Sequence, residues 1–258
     1  MPDSLRLAVG TFTRVPVPAP RRINVQVAGR AMLMGPVIAL LMSLVVGIAV
    51  QVLVNVSPIG GPLAAVLAVA AVAWLTRGLH LDGLADTADA LGSGRHADEA
   101  LAIARRSDIG PFGVLALVLL LLAEVLALGT LFDTGAGAGS FVVAVVAGRV
   151  GIVMACRRGV PAARPDGLGA TVAGSVAPWA AAVWALGWLA LSAVSVGRAH
   201  GIDSAIATGL AVAGGLLAGV ILAAVATRRL GGITGDVLGA VTEVTTVVVL
   251  VILVALPG

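Results

Sequence analysis

Long apolar runs separated by short polar segments constrain the fold of this 258-residue chain more than any other feature. Apolar residues make up 59% of the chain and charged residues only 11%, whereas an average soluble domain has about 25% charged residues. A helix over the run 33–54 would be roughly 33 Å long at about 1.5 Å per residue, which is enough to cross a bilayer core. The pattern predicts an all-α, polytopic integral membrane helical bundle in which residues 1–258 form a single transmembrane domain.

We expect about seven transmembrane helices, the second of which should continue as a helix into the polar stretch that follows it. The expected spans are 33–54, 62–76, 112–131, 140–156, 177–196, 204–227 and 237–256. Pro36 should fall in the first turn of the first span, where proline is tolerated. Residues 1–30 are basic, and Pro16, Pro18 and Pro20 disfavour a continuous helix there, so we expect a juxtamembrane segment at the membrane surface.

The distribution of arginine predicts the orientation of the bundle. With seven spans, the N-terminal segment and the loops 77–111, 157–176 and 228–240 share one side of the membrane. That side carries fourteen arginines, the other side carries only Arg198, and Arg149 lies inside a span. Under the positive-inside rule, the N-terminus and a polar face built from these loops are expected in the cytoplasm.

Three carboxylates follow the second span at spacings that place them on one helix face. Asp82, Asp86 and Asp89 are four and three residues apart, and stacked like charges repel one another unless a cation binds between them. Mg²⁺ prefers carboxylate oxygens and shares its shell with water and substrate phosphates. With Arg77 and His80 just before it, this cluster predicts a metal and phosphate site. A solvated acidic helix face is the alternative.

The segment 105–113 is a second candidate for binding phosphate. Arg105 and Arg106 offer guanidinium groups that suit phosphate oxygens, and Ser107 and Asp108 add a hydroxyl and a carboxylate. The segment also leads into the N-terminus of the third span, where exposed amides favour an anion. The alternative is membrane anchoring by the arginines, with Asp108 as an N-cap.

Two further polar patches fall on the same expected face. Arg164 and Asp166 lie in one of them, where Pro-Asp-Gly is also a strong turn signal. Thr234 and Asp236 lie in the other, where glycines would let backbone amides approach a ligand. A glycine-rich N-cap would explain the second patch equally well.

Three ionisable residues fall inside the expected spans. Glu124, Arg149 and Glu243 should face the bundle interior, because charges at membrane depth are costly and usually paired. Arg149 could pair with either glutamate, in a purely structural role or a functional one.

The motifs taken together resemble the cobalamin synthase family, adenosylcobinamide-GDP ribazoletransferase. They occur in the family's order and extend over nearly the whole chain. The matching stretches are F-T-R-V-P-V-P at 12–18, G-L-H-L-D-G-L-A-D-T-A-D-A at 78–90, R-R-S-D-I-G-P-F-G at 105–113, A-R-P-D-G-L-G-A at 163–170 and G-G-I-T-G-D-V-L-G-A at 231–240.

This resemblance implies an Mg²⁺-dependent membrane enzyme of the last steps of vitamin B12 assembly. It would transfer the adenosylcobinamide-phosphate group from adenosylcobinamide-GDP to α-ribazole or α-ribazole 5'-phosphate, releasing GMP and forming adenosylcobalamin or its 5'-phosphate. Membrane lipid would surround it, a homo-oligomer is possible, and no nucleic acid is expected as a partner.

Roles for individual residues follow from the resemblance and from the chemistry. Asp82 is the first choice as a metal ligand, joined by Asp86, Asp89 and Asp236. Asp89 would accept the proton of the attacking hydroxyl, and His80 belongs to the expected catalytic group. The expected substrate-binding residues are Arg77, Arg105, Arg106, Ser107, Asp108, Arg164, Asp166 and Thr234.

Other classes of membrane protein remain as alternatives. A CDP-alcohol phosphotransferase-like protein would show an arginine between its aspartates, and an aromatic prenyltransferase would show two separated D-x-x-x-D motifs. An ion or metal transporter would place carboxylates near the bilayer midplane in broken helices. Glu124 and Glu243 keep that last alternative open.

Overall fold

The computed structural model describes residues 1–106 and 108–256, and these fold into eleven helices with no strand beyond isolated bridges. The helices are α1 (Asp3–Phe12), α2 (Val25–Val56), α3 (Gly61–Leu75), α4 (Leu79–Gly92), α5 (Ala97–Ile103), α6 (Pro111–Asp133), α7 (Gly137–Ala155), α8 (Gly167–Val172), α9 (Pro178–His200), α10 (Ile202–Leu230) and α11 (Gly235–Ala255).

Six of these helices, α2, α6, α7, α9, α10 and α11, are long and apolar enough to cross a membrane. The pair α3 and α4 gives a seventh crossing if it is counted as one broken span. The expectation of a polytopic helical membrane protein is therefore confirmed. Within the bundle, α7 and α11 are the most buried of these helices, and the others pack around them.

The expectation that the second span continues as one helix through the acidic stretch is wrong. Helix α3 ends at Leu75, and α4 starts at Leu79 at an angle of 90° to it. The backbone of Arg77 and Gly78 is left-handed, with φ of 60° and 69°, and the Gly78 amide donates to the Ala73 carbonyl at 2.7 Å. This is the closing hydrogen bond of a Schellman motif, in which Arg77 holds the left-handed position that glycine usually takes and Gly78 follows it. The break is therefore set locally by the turn at Arg77 and Gly78.

Arg77 adopts this conformation at a cost, because a left-handed backbone is unfavourable by about 1–2 kcal/mol for a residue with a side chain. Contacts from the N-terminal segment hold it in place. The Arg77 guanidinium donates to the Gly10 carbonyl at 2.6 Å, and the Arg14 amide donates to the Leu75 carbonyl at 2.7 Å. The Arg14 guanidinium also lies 3.7 Å from the centroid of the Trp74 ring.

The first long helix begins earlier than expected. Helix α2 starts at Val25, where the Asn24 side chain accepts a hydrogen bond from the Val27 amide at 2.9 Å. Pro36 therefore lies buried in the interior of α2, and its expected place in the first turn is wrong. The proline-rich stretch is non-helical between α1 and α2, as expected.

Candidate active site

Helix α4 packs directly against the N-terminal part of α11, and two glycines make this approach possible. A Cβ atom at Gly83 would lie 2.7 Å from the carbonyl oxygen of Asp236, and one at Gly239 would lie 2.9 Å from the carbonyl oxygen of His80. Real Cβ atoms do not approach a carbonyl oxygen that closely, so both positions require glycine. This role was not predicted from the sequence, although a glycine inside an otherwise helical stretch can have a packing reason.

The close packing brings carboxylates of the two helices together. Asp82 is exposed, while Asp86 and Asp236 are half-buried. Burial and the neighbouring charges of Asp82, Asp236 and Asp89 raise the pKa of Asp86 to about 7, although the Arg164 guanidinium opposes the shift. Negative charge is therefore concentrated where α4 meets α11, as the sequence suggested for Asp82, Asp86 and Asp236.

Backbone pairing brings the loop before α8 to the same place. The Ala163 amide donates to the Ile233 carbonyl at 3.0 Å, and the Ile233 amide donates to the Pro161 carbonyl at 2.9 Å. A Cβ atom at Gly232 would lie 2.5 Å from the Pro161 oxygen, so only glycine permits this pairing. The pairing places Arg164 near the carboxylates.

Arg164 and Asp166 are fixed by contacts with the segment around α5. The Arg164 guanidinium donates to the Leu101 carbonyl at 2.7 Å. Arg105 and Asp166, both exposed, form an ion pair with the guanidinium nitrogen 2.6 Å from the carboxylate oxygen. Two patches that are about sixty residues apart in sequence therefore meet, as a shared site requires.

A cleft of about 210 Å³ opens beside these groups. Its polar lining includes Arg164, Asp166, Thr234 and Asp236. The Thr234 hydroxyl caps α11 by accepting from the Val237 amide at 3.2 Å, and it also lies 3.1 Å from the Asp236 carboxylate. The N-cap interpretation of Thr234 is thus confirmed, while its role in binding substrate stays a prediction.

Asp89 has a structural role that the sequence did not reveal. Its carboxylate is buried, with 6% of the residue exposed, and accepts hydrogen bonds from the amides of Gly110 at 2.7 Å and Gly113 at 2.9 Å. These amides belong to the N-terminus of α6. The anion expected at that helix end is therefore a carboxylate of the chain itself. Asp89 also takes the capping role for which Asp108 was the alternative.

Two residues of the expected site point elsewhere. His80 is 3% exposed, and its Nδ1 lies 3.3 Å from a guanidinium nitrogen of the buried Arg149, inside the bundle. Arg77 is engaged with the N-terminal segment through the Gly10 carbonyl. Neither contact supports the expected roles in catalysis and substrate binding, which stay predictions.

The remaining residues of the 105–113 segment are less informative. Arg106 and Asp108 are exposed, and neither lines the cleft. Ser107 lies outside the described residues. The expected contacts of these three residues with phosphate stay predictions.

The donor set fits a divalent cation that also binds substrate. Across residues 1–106 and 108–256, no three side chains of His, Cys, Asp or Glu form a group ready to hold a metal ion. Mg²⁺ is typically bound by only one or two carboxylates together with waters and substrate phosphates. Asp82, Asp86 and Asp236 supply carboxylates of that kind, and burial together with the neighbouring negative charges raises the pKa of Asp86.

The chain is similar in sequence to known proteins over nearly its full length. The sequence model of the family described as cobalamin-5-phosphate synthase matches residues 4–254. A protein of Frankia casuarinae named adenosylcobinamide-GDP ribazoletransferase is 38% identical over 261 residues, which cover 96% of this chain and 93% of that protein. A protein of the same name from Nocardioides sp. is 40% identical over 245 residues, covering 94% of each chain. No solved structure matches the chain.

Proposed function

The chain belongs to the cobalamin-5-phosphate synthase family, and from this premise we propose that it acts as an adenosylcobinamide-GDP ribazoletransferase. It transfers the adenosylcobinamide-phosphate group from adenosylcobinamide-GDP to α-ribazole or α-ribazole 5'-phosphate and releases GMP. The observation that carries the proposal is that Asp82, Asp86 and Asp236 meet near Arg164, next to a cleft that Asp236 and Arg164 line. The chain also matches the family over nearly its full length.

The reaction is a phosphoryl transfer, so positioning and charge stabilisation provide most of the rate enhancement. A ribose hydroxyl oxygen of the acceptor forms a bond to the phosphorus that carries adenosylcobinamide. The bond from that phosphorus to the bridging oxygen of the diphosphate breaks, and GMP leaves with that oxygen. Arg164, at the edge of the carboxylate cluster, and Arg105, held by Asp166, are placed to hold phosphate oxygens of the donor.

Asp82, Asp86 and Asp236 are the residues proposed to hold the cation. Mg²⁺ held by these residues would supply positive charge to offset the negative charge of the diphosphate. Asp82 is the most accessible of the three carboxylates and remains the first choice as a ligand. Asp89 is the proposed proton acceptor. In that role its carboxylate would take the proton of the attacking hydroxyl while it also accepts hydrogen bonds from the backbone amides at the start of α6.

We also propose that the cleft faces the cytoplasm and that the chain lies in the bacterial inner membrane. The cleft is lined by Leu79 and by residues of 164–169 and 233–236, and these segments lie on the side where fourteen of the sixteen basic residues are expected. The positive-inside rule supports this orientation. Cysteine accessibility measured from each side of oriented vesicles at positions 166 and 203 tests it.

An assay of the Asp82→Ala variant tests the proposed function. With purified protein, Mg²⁺ and adenosylcobinamide-GDP, the variant should release no GMP while its detergent-solubilised form elutes and melts like wild type. Asp203→Ala is the matched control, because Asp203 is exposed at the start of α10 and does not line the cleft. Full activity of Asp82→Ala would refute the metal role. Supplying α-ribazole and its 5'-phosphate in parallel identifies the acceptor.

A further inference from the structure

A second polar cavity lies inside the bundle, away from the cleft. It is narrow, about 20 Å³ in volume, and is lined by residues of α3, α4, α6, α7 and α11. Its ionisable lining consists of His80, Glu124, Arg149 and Glu243, whereas α3 contributes only apolar residues and its C-cap contributes Thr76. The proposed transferase reaction uses none of these groups.

The polar atoms of this cavity are buried without enough partners. Glu124 is 4% exposed and Arg149 is 2% exposed. Within the described part of the chain, Glu124 Oε2, Arg149 Nε and His80 Nε2 have no hydrogen-bond partner. Among the described residues, no ion pair within 4.0 Å joins Arg149 to Glu124 or Glu243. Buried polar atoms that lack a hydrogen-bond partner in the protein point to a bound water molecule or ion.

The charges facing the cavity do not balance. Arginine stays protonated in proteins, so Arg149 supplies one positive charge. Arginine can only donate, so His80 Nδ1 accepts from it at 3.3 Å and adds no charge of its own. Glu124 and Glu243, if both were ionised, would leave one uncompensated negative charge in the apolar interior, which is strongly unfavourable.

We propose that this cavity binds one exchangeable monovalent cation, either a proton or a sodium ion, between Glu124 and Glu243. The free space at its centre holds about one water-sized particle, which suits either cation. Bound there, a single positive charge balances the second carboxylate and gives Glu124 Oε2 the partner it lacks.

The occupant of this cavity acts on the catalytic face through Arg149. The same guanidinium that faces the glutamates contacts His80, which lies on α4 two residues before Asp82. A change of charge between the glutamates therefore changes the contact that fixes the N-terminal turn of α4. The cavity can in this way influence where the carboxylates of the cleft lie.

Infrared spectroscopy of the full-length protein in detergent tests the proposal without an activity assay. In sodium-free buffer at neutral pH, we expect an absorption band from the carbonyl stretch of a protonated glutamic acid. The shift of this band in wild-type protein made with isotope-labelled glutamate assigns it to glutamic acid. The label separates it from Asp86, whose pKa of about 7 also leaves it partly protonated. The band should be lost in Glu124→Gln or Glu243→Gln and retained in Glu99→Gln, a control on an exposed residue of α5.

Addition of sodium chloride separates the two cations. A band that persists identifies the proton as the occupant, and a band that disappears as sodium is added identifies competition by a sodium ion. Absence of a protonated glutamic acid in both buffers would overturn the proposal. Because the labelled wild-type chain answers this question by itself, failure of a glutamine variant to fold leaves the test intact.

Discussion

Replacing Asp89 by alanine should destabilise the protein rather than merely inactivate it. The buried carboxylate accepts two backbone hydrogen bonds, from Gly110 at 2.7 Å and Gly113 at 2.9 Å. A hydrogen bond to a charged group contributes about 1.5–3 kcal/mol, so losing both should lower the free energy of unfolding by about 3–6 kcal/mol. The positive end of the α6 dipole would also lose its counter-charge.

Asp89→Asn provides a graded comparison. Its amide oxygen can still accept one of the two hydrogen bonds, but its NH₂ group faces the other donor. We therefore expect Asp89→Asn to lower the free energy of unfolding by about half as much as Asp89→Ala. Thermal and denaturant unfolding in detergent micelles measure both variants. Asp108→Ala, an exposed aspartate in the same segment, is the control and should unfold like wild type.

The two roles of Asp89 give different results in this experiment. If capping dominates, stability falls in the order wild type, Asp89→Asn, Asp89→Ala. If Asp89 serves only as the proton acceptor, Asp89→Asn abolishes GMP release and leaves the unfolding curve unchanged. An alanine variant as stable as wild type would refute the capping argument.

Three further predictions concern the cleft. The pKa of Asp86 is about 7 in the folded chain and about 4 in an unfolded one, so the free energy of unfolding without divalent cations should fall as pH rises from about 4 to 7. Mg²⁺ should reverse this loss of stability, and melting curves at each pH with and without Mg²⁺ measure both effects. Gly83→Val or Gly239→Val should force α4 away from α11, lowering unfolding free energy by about 1–3 kcal/mol and abolishing GMP release. Arg105→Ala and Asp166→Ala should each change stability by less than about 1 kcal/mol, because the ion pair is exposed, but Arg105→Ala should raise the KM for adenosylcobinamide-GDP.

The sequence predicted the membrane-spanning helices because long apolar runs need no tertiary information to be recognised. It failed where a local turn competes with the apolar pattern. A left-handed turn at Arg77 and Gly78 ends α3, and the hydropathy of the flanking residues does not reveal this turn. Likewise, the start of α2 at Val25 depends on the Asn24 cap and not on the apolar run.

The site was predictable in composition but not in its contacts. Asp82, Asp86 and Asp236 meet near Arg164, as the motifs suggested. Asp89 has the same spacing as a ligand, yet the N-terminus of α6 lies against that end of α4 and occupies its carboxylate. Helical periodicity predicts which face of a helix a residue lies on. Which groups contact that residue depends on how helices distant in sequence pack against that face.

The packing of α4 on α11 has a consequence for how the protein is made. Of the described helices, α11 is synthesised last, and it carries Asp236 and the Gly239 surface on which α4 rests. A nascent chain that ends before residue 235 would contain Asp82 and Asp86 but would lack the surface of α11 against which α4 packs. The chain must therefore be synthesised through α11 before Asp236 can line the cleft, and a chain truncated before residue 235 should insert into the membrane yet remain inert.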